Sequence, residues 1–170
     1  MLRELADKAL ARLDRRQRGV VLTVGGMGAL FAGGKLPALG LFGRGLSDLE
    51  AEWRRTHPEF VGGLRERWQE AVAFYESTHQ DQSNRTLHLI GIPLIVGGAV
   101  GLIVFPSYTP PWLLAAGTFA AGWGLNIAGH VFFEKNAPAF ADDPLSFVAG
   151  PVFDVMQLRS LAGRLIRRAA

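Results

Sequence analysis

Residues 86–133 read TLHLIGIPLIVGGAVGLIVFPSYTPPWLLAAGTFAAGWGLNIAGHVFF, 48 residues without one Asp, Glu, Lys or Arg. Two apolar runs, 88–105 and 112–133, flank a Pro-rich turn, Pro106-Ser107-Tyr108-Thr109-Pro110-Pro111. At 1.5 Å per residue each run reaches roughly 26–30 Å as a helix, enough to cross the hydrocarbon of a bilayer. The stretch therefore predicts a transmembrane helical hairpin. Gly97/Gly101, Gly117/Ala121 and Gly124/Ala128 have the small-xxx-small spacing that lets helices touch. Tyr108 and Trp112 are expected as aromatic anchors at one interface. A buried hairpin in a soluble all-α domain would need more amphipathic cover than 170 residues supply.

The composition agrees. Hydrophobic residues make up 49% and charged residues 19%, which excludes a disordered chain. The net charge of +3 comes mainly from Arg residues before and after the hairpin. These read as membrane-flanking charge, and no nucleic-acid partner is expected. The turn carries no charge, so the positive-inside rule puts both termini in the cytoplasm. A bacterial inner membrane is the expected location. The chain has no Cys, which excludes disulfides, thiolate metal sites and Cys nucleophiles. No cleavable signal peptide is expected.

Upstream, residues 1–18 read as a basic amphipathic helix. Residues 19–46 are apolar and Gly-rich, too short for an ordinary span before Lys35 and Pro37 interrupt them. They are expected to form a re-entrant or interfacial segment, or a close-packing hairpin. A single span there would separate the basic N-terminus from the rest. Ser47-Asp48-Leu49-Glu50 fits a capping box that starts a helix, which His57-Pro58 ends. The next helix carries an apolar stripe at Phe60, Leu64, Trp68, Val72 and Tyr75. Four residues on is His79, and Asp81-Gln82-Ser83-Asn84 reads as a turn. The expected fold is all-α: an integral membrane helical bundle with a central transmembrane hairpin, amphipathic helices and a Gly-rich N-terminal segment. Its expected parts are an N-terminal region, 1–60, and a membrane domain, 61–170.

Of four histidines, His88 opens the first run and His130 closes the second. From 88 to 105 and from 113 to 130 are both 17 steps, so antiparallel runs put the two rings at similar depth on the cytoplasmic side. His79 can fold back across a short turn to the same face. Glu134 and Asn126 lie four residues either side of His130 and share its helix face. Ionisable groups at a bilayer are costly and mark functional sites. Imidazoles with a carboxylate suit Fe(II), Zn or Ni, and open positions suit non-haem Fe(II) and O₂ chemistry. His57 is a loop or helix-end residue. His79-Gln80-Asp81 imitates the facial triad of a β jelly-roll oxygenase, but no strand alternation supports that fold.

Phe74-Tyr75-x-x-x-His79, Asn84-Arg85-x-x-His88-x-x-Gly91-x-Pro93, Gly129-His130-x-x-x-Glu134-x-Asn136-x-Pro138-Ala139 and Pro144-Leu145-Ser146 together resemble a membrane family. It is the family of 2-hydroxy fatty acid dioxygenases of fatty-acid alpha-oxidation, formerly a domain of unknown function. The resemblance covers roughly residues 70–155. Position 81 is Asp where Asn is expected, which leaves its role open. The resemblance implies an Fe(II)-dependent oxygenase acting on a long-chain 2-hydroxy fatty acid and O₂, and releasing the acid one carbon shorter. It implies His79, His88 and His130 as metal ligands, with Glu134 a fourth ligand or a base orienting an imidazole. Asn84 and Asn136 would hold loops or contact substrate. Arg85 is a candidate clamp for the substrate carboxylate, or else a membrane-flanking Arg.

The bilayer, and a second copy of the chain, complete the expected partners. Two other functions fit the same residues. One is a non-enzymatic membrane assembly or lipid-organising protein with structural histidines. The other is a Zn-dependent membrane hydrolase with Glu134 as base.

Overall fold

A computed structural model describes residues 10–136, 142–154 and 156. Among the described residues the chain is all helical, with no strand. The elements are α1 (Arg15–Phe31), α2 (Lys35–Thr56), α3 (Leu64–Thr78), α4 (Gln82–Val104), α5 (Pro110–Ala128) and a π-helical turn, π1 (Gly129–Glu134). Residues 146–154 are also helical.

The Gly-rich segment is the close-packing hairpin. α1 and α2 run antiparallel across a turn at Ala32–Gly34, where Gly33 takes φ +72°, a conformation that favours glycine. Their contact is built on missing side chains. A Cβ on Gly45 would lie 2.5 Å from Thr23 N and 2.7 Å from Gly19 O, and one on Gly26 would lie 2.8 Å from Phe42 N. Two sequence expectations are corrected here. Helix 1–18 is interrupted, because Asp14 caps a new helix by accepting from Gln17 N at 2.7 Å; residues 1–9 lie outside the described residues. Ser47–Glu50 starts nothing, because α2 runs through it from Lys35. Asp48 accepts from the Arg18 guanidinium at 2.8 and 3.1 Å instead of capping.

The α4–α5 hairpin stands where the charge-free stretch places it. Its seam is a spacing of seven. A Cβ on Gly91 would meet Gly122 O at 2.9 Å, one on Gly98 would meet Phe119 N at 2.6 Å, and one on Gly129 would meet Asn84 Cγ at 3.2 Å. Gly97, Gly117 and Gly124 instead face open space, so the small-xxx-small pairs that contain them are not the contact. Gly101 does pack, against Ala115. Trp112 is also reassigned. It is 3% exposed and sits in a core cluster with Leu30, Ala38, Leu102, Ala115 and Phe119, while Tyr108 stays exposed. Among the described residues α4 is the one helix long and apolar enough to cross a membrane. α5 is 19 residues long, and Pro, Gly, Trp and Asn dilute its hydropathy.

The two hairpins meet at their tips. Lys35 Nζ donates to Phe105 O at 2.6 Å, Tyr108 Oη to Ala32 O at 2.8 Å, and Phe31 sets its ring edge-on to Phe119 at 5.4 Å. Both hairpins therefore return their open ends in the same direction, toward α3. The buried face of α3 is Arg67, Ala71 and Tyr75, one step round from the expected stripe; Leu64 is 84% exposed. Hydrophobic pattern misses this face because an arginine leads it. Arg67 is fully buried between two acids, at 2.6 and 2.9 Å from Asp143 and 3.0 Å from Glu50. Its guanidinium lies 3.6 Å from the Trp53 ring centroid.

The glycine contacts generate a paired prediction. Gly45→Leu places carbon against the backbone of α1 and is expected to cost roughly 1–3 kcal/mol. Gly28→Leu, with nothing within 4 Å of its Cβ, is expected to cost nothing measurable. Thermal unfolding of both variants in one detergent checks the difference.

Candidate metal centre

Three elements each deliver one histidine. His79 is the residue that ends α3. Asp81 then caps α4, accepting from Ser83 N at 2.7 Å and Asn84 N at 3.1 Å, which starts the helix early enough to put His88 two turns inside it. α5 carries His130 into π1, whose wider turn ends at Lys135 in a left-handed conformation, φ 57°. That reversal brings Asn136 back against His130. π turns of this kind are frequent at functional sites.

The rings converge. His79, His88 and His130 are 3%, 4% and 3% exposed. Their centroids are 4.6, 4.9 and 4.9 Å apart, with interplanar angles of 82°, 75° and 89°. One nitrogen from each lies within 4.8 Å of the others. Each Nδ1 is already committed: His79 to Tyr75 O at 2.8 Å, His88 to Asn84 O at 3.0 Å, His130 to Asn136 Oδ1 at 2.6 Å. These oxygens only accept, so each Nδ1 carries the proton and donates. Each Nε2 is then left with its lone pair, the form in which imidazole binds a metal. Burial pushes the His79 ring down to about 4, against a partly offsetting hydrogen bond to Tyr75 O, so it is neutral at pH 7. His79 Nε2 is buried with no hydrogen-bond partner. An orphaned buried acceptor among three imidazoles whose Nδ1 atoms are already committed fits a metal ion.

The other expected site residues stand behind or beside this cluster. Glu134 is not part of it. Its carboxylate accepts from Gln80 N at 2.7 Å, Asp81 N at 3.0 Å and Asn84 Nδ2 at 2.9 Å. It thus ties π1 to the turn between α3 and α4 and braces the residue whose carbonyl holds His88. Asn136 also donates to Thr78 O at 2.9 Å. Asn84 and Asn136 orient imidazoles and do not line the cavity beside the metal site. Arg85 is half-buried one turn before His88, makes no ion pair among the described residues, and lies 5.9 Å from the Phe153 ring. His57 is apart from the cluster, stacked on Trp53 at 4.3 Å.

A cavity of about 100 Å³ opens from the imidazoles along the hairpin. Ile92, Ile95, Val96, Trp123, Asn126 and Ile127 line it, and Ser146, Phe147 and Pro151 form its outer wall. Sequence reasoning missed Tyr75 and Asp154. The Tyr75 ring stacks on His79 at 3.9 Å and its hydroxyl donates to Asp154 at 3.1 Å. Burial raises Asp154 to about 6. The four-residue step from Tyr75 to His79 is a visible signal; nothing in sequence points to Asp154.

A family model described as Mpo1-like, 2-hydroxy-palmitic acid dioxygenase Mpo1-like, matches residues 65–163, more than half of the chain. The chain belongs to this family. No curated protein and no solved structure matches it.

Asn136 touches His130 and no cavity surface, so its removal is expected to act through the metal. Asn136→Ala should weaken metal binding about 10–100-fold, read by competition with a metallochromic chelator, while the protein still folds.

Proposed function

Taking membership of the Mpo1-like family as the premise, we propose that this protein is an Fe(II)-dependent membrane dioxygenase. Its substrates are long-chain 2-hydroxy fatty acids, which it converts to fatty acids one carbon shorter. The observation that carries the reading is the convergence of three proton-oriented imidazoles at one end of an apolar cavity. His79, His88 and His130 would hold the iron, which when bound supplies the redox chemistry that activates O₂. The overall conversion balances as one 2-hydroxy acid and one O₂ giving the shorter acid, CO₂ and water.

The chain's own residues do the rest. The apolar walls at Ile92, Ile95 and Trp123 take the first carbons of the acyl tail and keep water away. Arg85, one turn before His88 and outside the cavity lining, has no ion pair of its own among the described residues and would bind the substrate carboxylate. Tyr75 and Asp154 hold His79 in place. Glu134 and Asn84 act as positioning residues. The α4–α5 hairpin is the membrane-embedded element, with the metal end facing the cytoplasm, where both termini also lie, in a bacterial inner membrane. A tail dissolved in the bilayer then reaches the cavity sideways, while its carboxylate stays at headgroup depth.

Anaerobically purified protein is expected to hold about one Fe per chain and to consume O₂ with 2-hydroxypalmitate. His88→Ala combined with His130→Ala should abolish both. Turnover without O₂ on a Zn-loaded protein would replace this reading with a hydrolase. Arg85→Gln is expected to raise KM about 10–100-fold through loss of a charge-assisted hydrogen bond, with kcat changed far less.

A further inference from the structure

We infer that Asn126 is a substrate-recognition residue whose carboxamide hydrogen-bonds the 2-hydroxyl group of the bound acid. The inference rests on the dioxygenase reading and adds to it the residue that tells a 2-hydroxy acid from an unsubstituted one.

The cavity wall holds an unsatisfied carboxamide. Asn126 is 8% exposed and lines the cavity. It makes no side-chain hydrogen bond among the described residues, and its Oδ1 is buried with no partner. Leaving a buried amide unpaired costs roughly 1–3 kcal/mol, and buried polar side chains are paired in the large majority of cases. An unpaired one beside a metal centre therefore calls for a ligand.

Its position identifies the ligand atom. Asn126 precedes His130 by one helical turn, so its side chain lies just past the imidazoles on the side where the cavity continues. Gly91, three residues after His88, makes room for it: a Cβ there would run into Asn126 Oδ1, which packs against α4 at Gly91, and would lie 2.9 Å from Gly122 O. The walls beyond are Ile92, Ile95, Val96 and Ile127; of the other polar groups in the lining, Ser146 donates to Asp143 O and the Trp123 indole N–H can only donate, so Asn126 supplies the carboxamide next to the metal end. A fatty acid with its carboxylate toward Arg85 and its tail along those isoleucines passes Asn126 with its first carbons. The polar substituent on those carbons is the 2-hydroxyl. A hydroxyl both donates and accepts, and a carboxamide offers both complements.

Such a group should discriminate strongly. A site built to pair a substrate hydroxyl rejects the analogue lacking it, because the buried amide is then left unpaired. The test is equilibrium binding of radiolabelled 2-hydroxypalmitate and palmitate to the metal-loaded, full-length protein in nanodiscs without O₂. The wild type is expected to prefer the hydroxy acid by at least about tenfold. Asn126→Leu and Asn126→Ala should erase most of that preference, mainly by weakening the hydroxy acid, with metal content and thermal unfolding unchanged. If either folded, metal-loaded variant keeps the wild-type ratio, or loses affinity for both acids equally, Asn126 is not the recognition residue. If the wild type binds metal but neither acid, the fatty acid reading itself falls and this inference goes with it.

Discussion

The geometry of the centre depends on where three Nδ1 protons go. Each histidine gives that proton to a fixed oxygen: the Tyr75 carbonyl, the Asn84 carbonyl and the Asn136 carboxamide. Two of these oxygens belong to the backbone one turn earlier on the same helix, so the helices themselves set the ring orientation. The third histidine has no such carbonyl in use. The π turn and the left-handed Lys135 supply the Asn136 side chain instead. With the tautomers fixed, three lone pairs have nowhere to point but toward one another. Bringing them together leaves the buried His79 Nε2 without a partner, and a cation would relieve that cost.

The rest of the structure holds the three helices in the register this requires. The seam between α4 and α5 is cut from Gly91, Gly98, Gly122 and Gly129, with backbone against backbone. At that distance small sideways slips are blocked, so His88 and His130 keep one depth. Glu134 closes the third side. Its two oxygens take two main-chain N–H groups and the Asn84 amide, pinning the α3–α4 turn to the end of π1. The carboxylate thus does its work one layer behind the metal site.

Much of this was legible in the sequence. The charge-free stretch points to the α4–α5 hairpin, and the matching 17-step runs to the meeting of His88 and His130 at one end of it. The four-residue step from Tyr75 gave the face of His79. The failures have physical causes. Small-residue spacing alone cannot say which glycines face a neighbour; a four-residue rule picked Gly97 and Gly117, while the antiparallel contact repeats every seven. The buried face of α3 stayed hidden because Arg67 lies on it, and an arginine enters a core only when distant residues neutralise it. Those residues, Glu50 and Asp143, are 17 and 76 positions away. For Glu134, helix periodicity and the resemblance leave open a fourth ligand or a base orienting an imidazole; the π turn carries its carboxylate to Gln80 N, Asp81 N and Asn84 Nδ2, a distinction that spacing alone does not make.

The buried Arg67 also explains why the N-terminal hairpin bears on the site although it lies outside the family match. Removing one partner from a fully buried ion pair leaves an uncompensated charge, at a cost of roughly 3–5 kcal/mol. Arg67 is therefore committed to both acids at once. Glu50 comes from α2, and Asp143 begins the segment that carries Ser146, Phe147 and Pro151 over the cavity. Phe42, also from α2, sets its ring edge-on to Phe147 at 5.3 Å. Gly26 allows that approach by letting α1 press directly behind Phe42. The outer wall of the cavity thus stands on a charge clamp at one end and an aromatic contact at the other, and both originate in α2. The family-matching part supplies the imidazoles, and the Gly-rich hairpin supports the wall that encloses them.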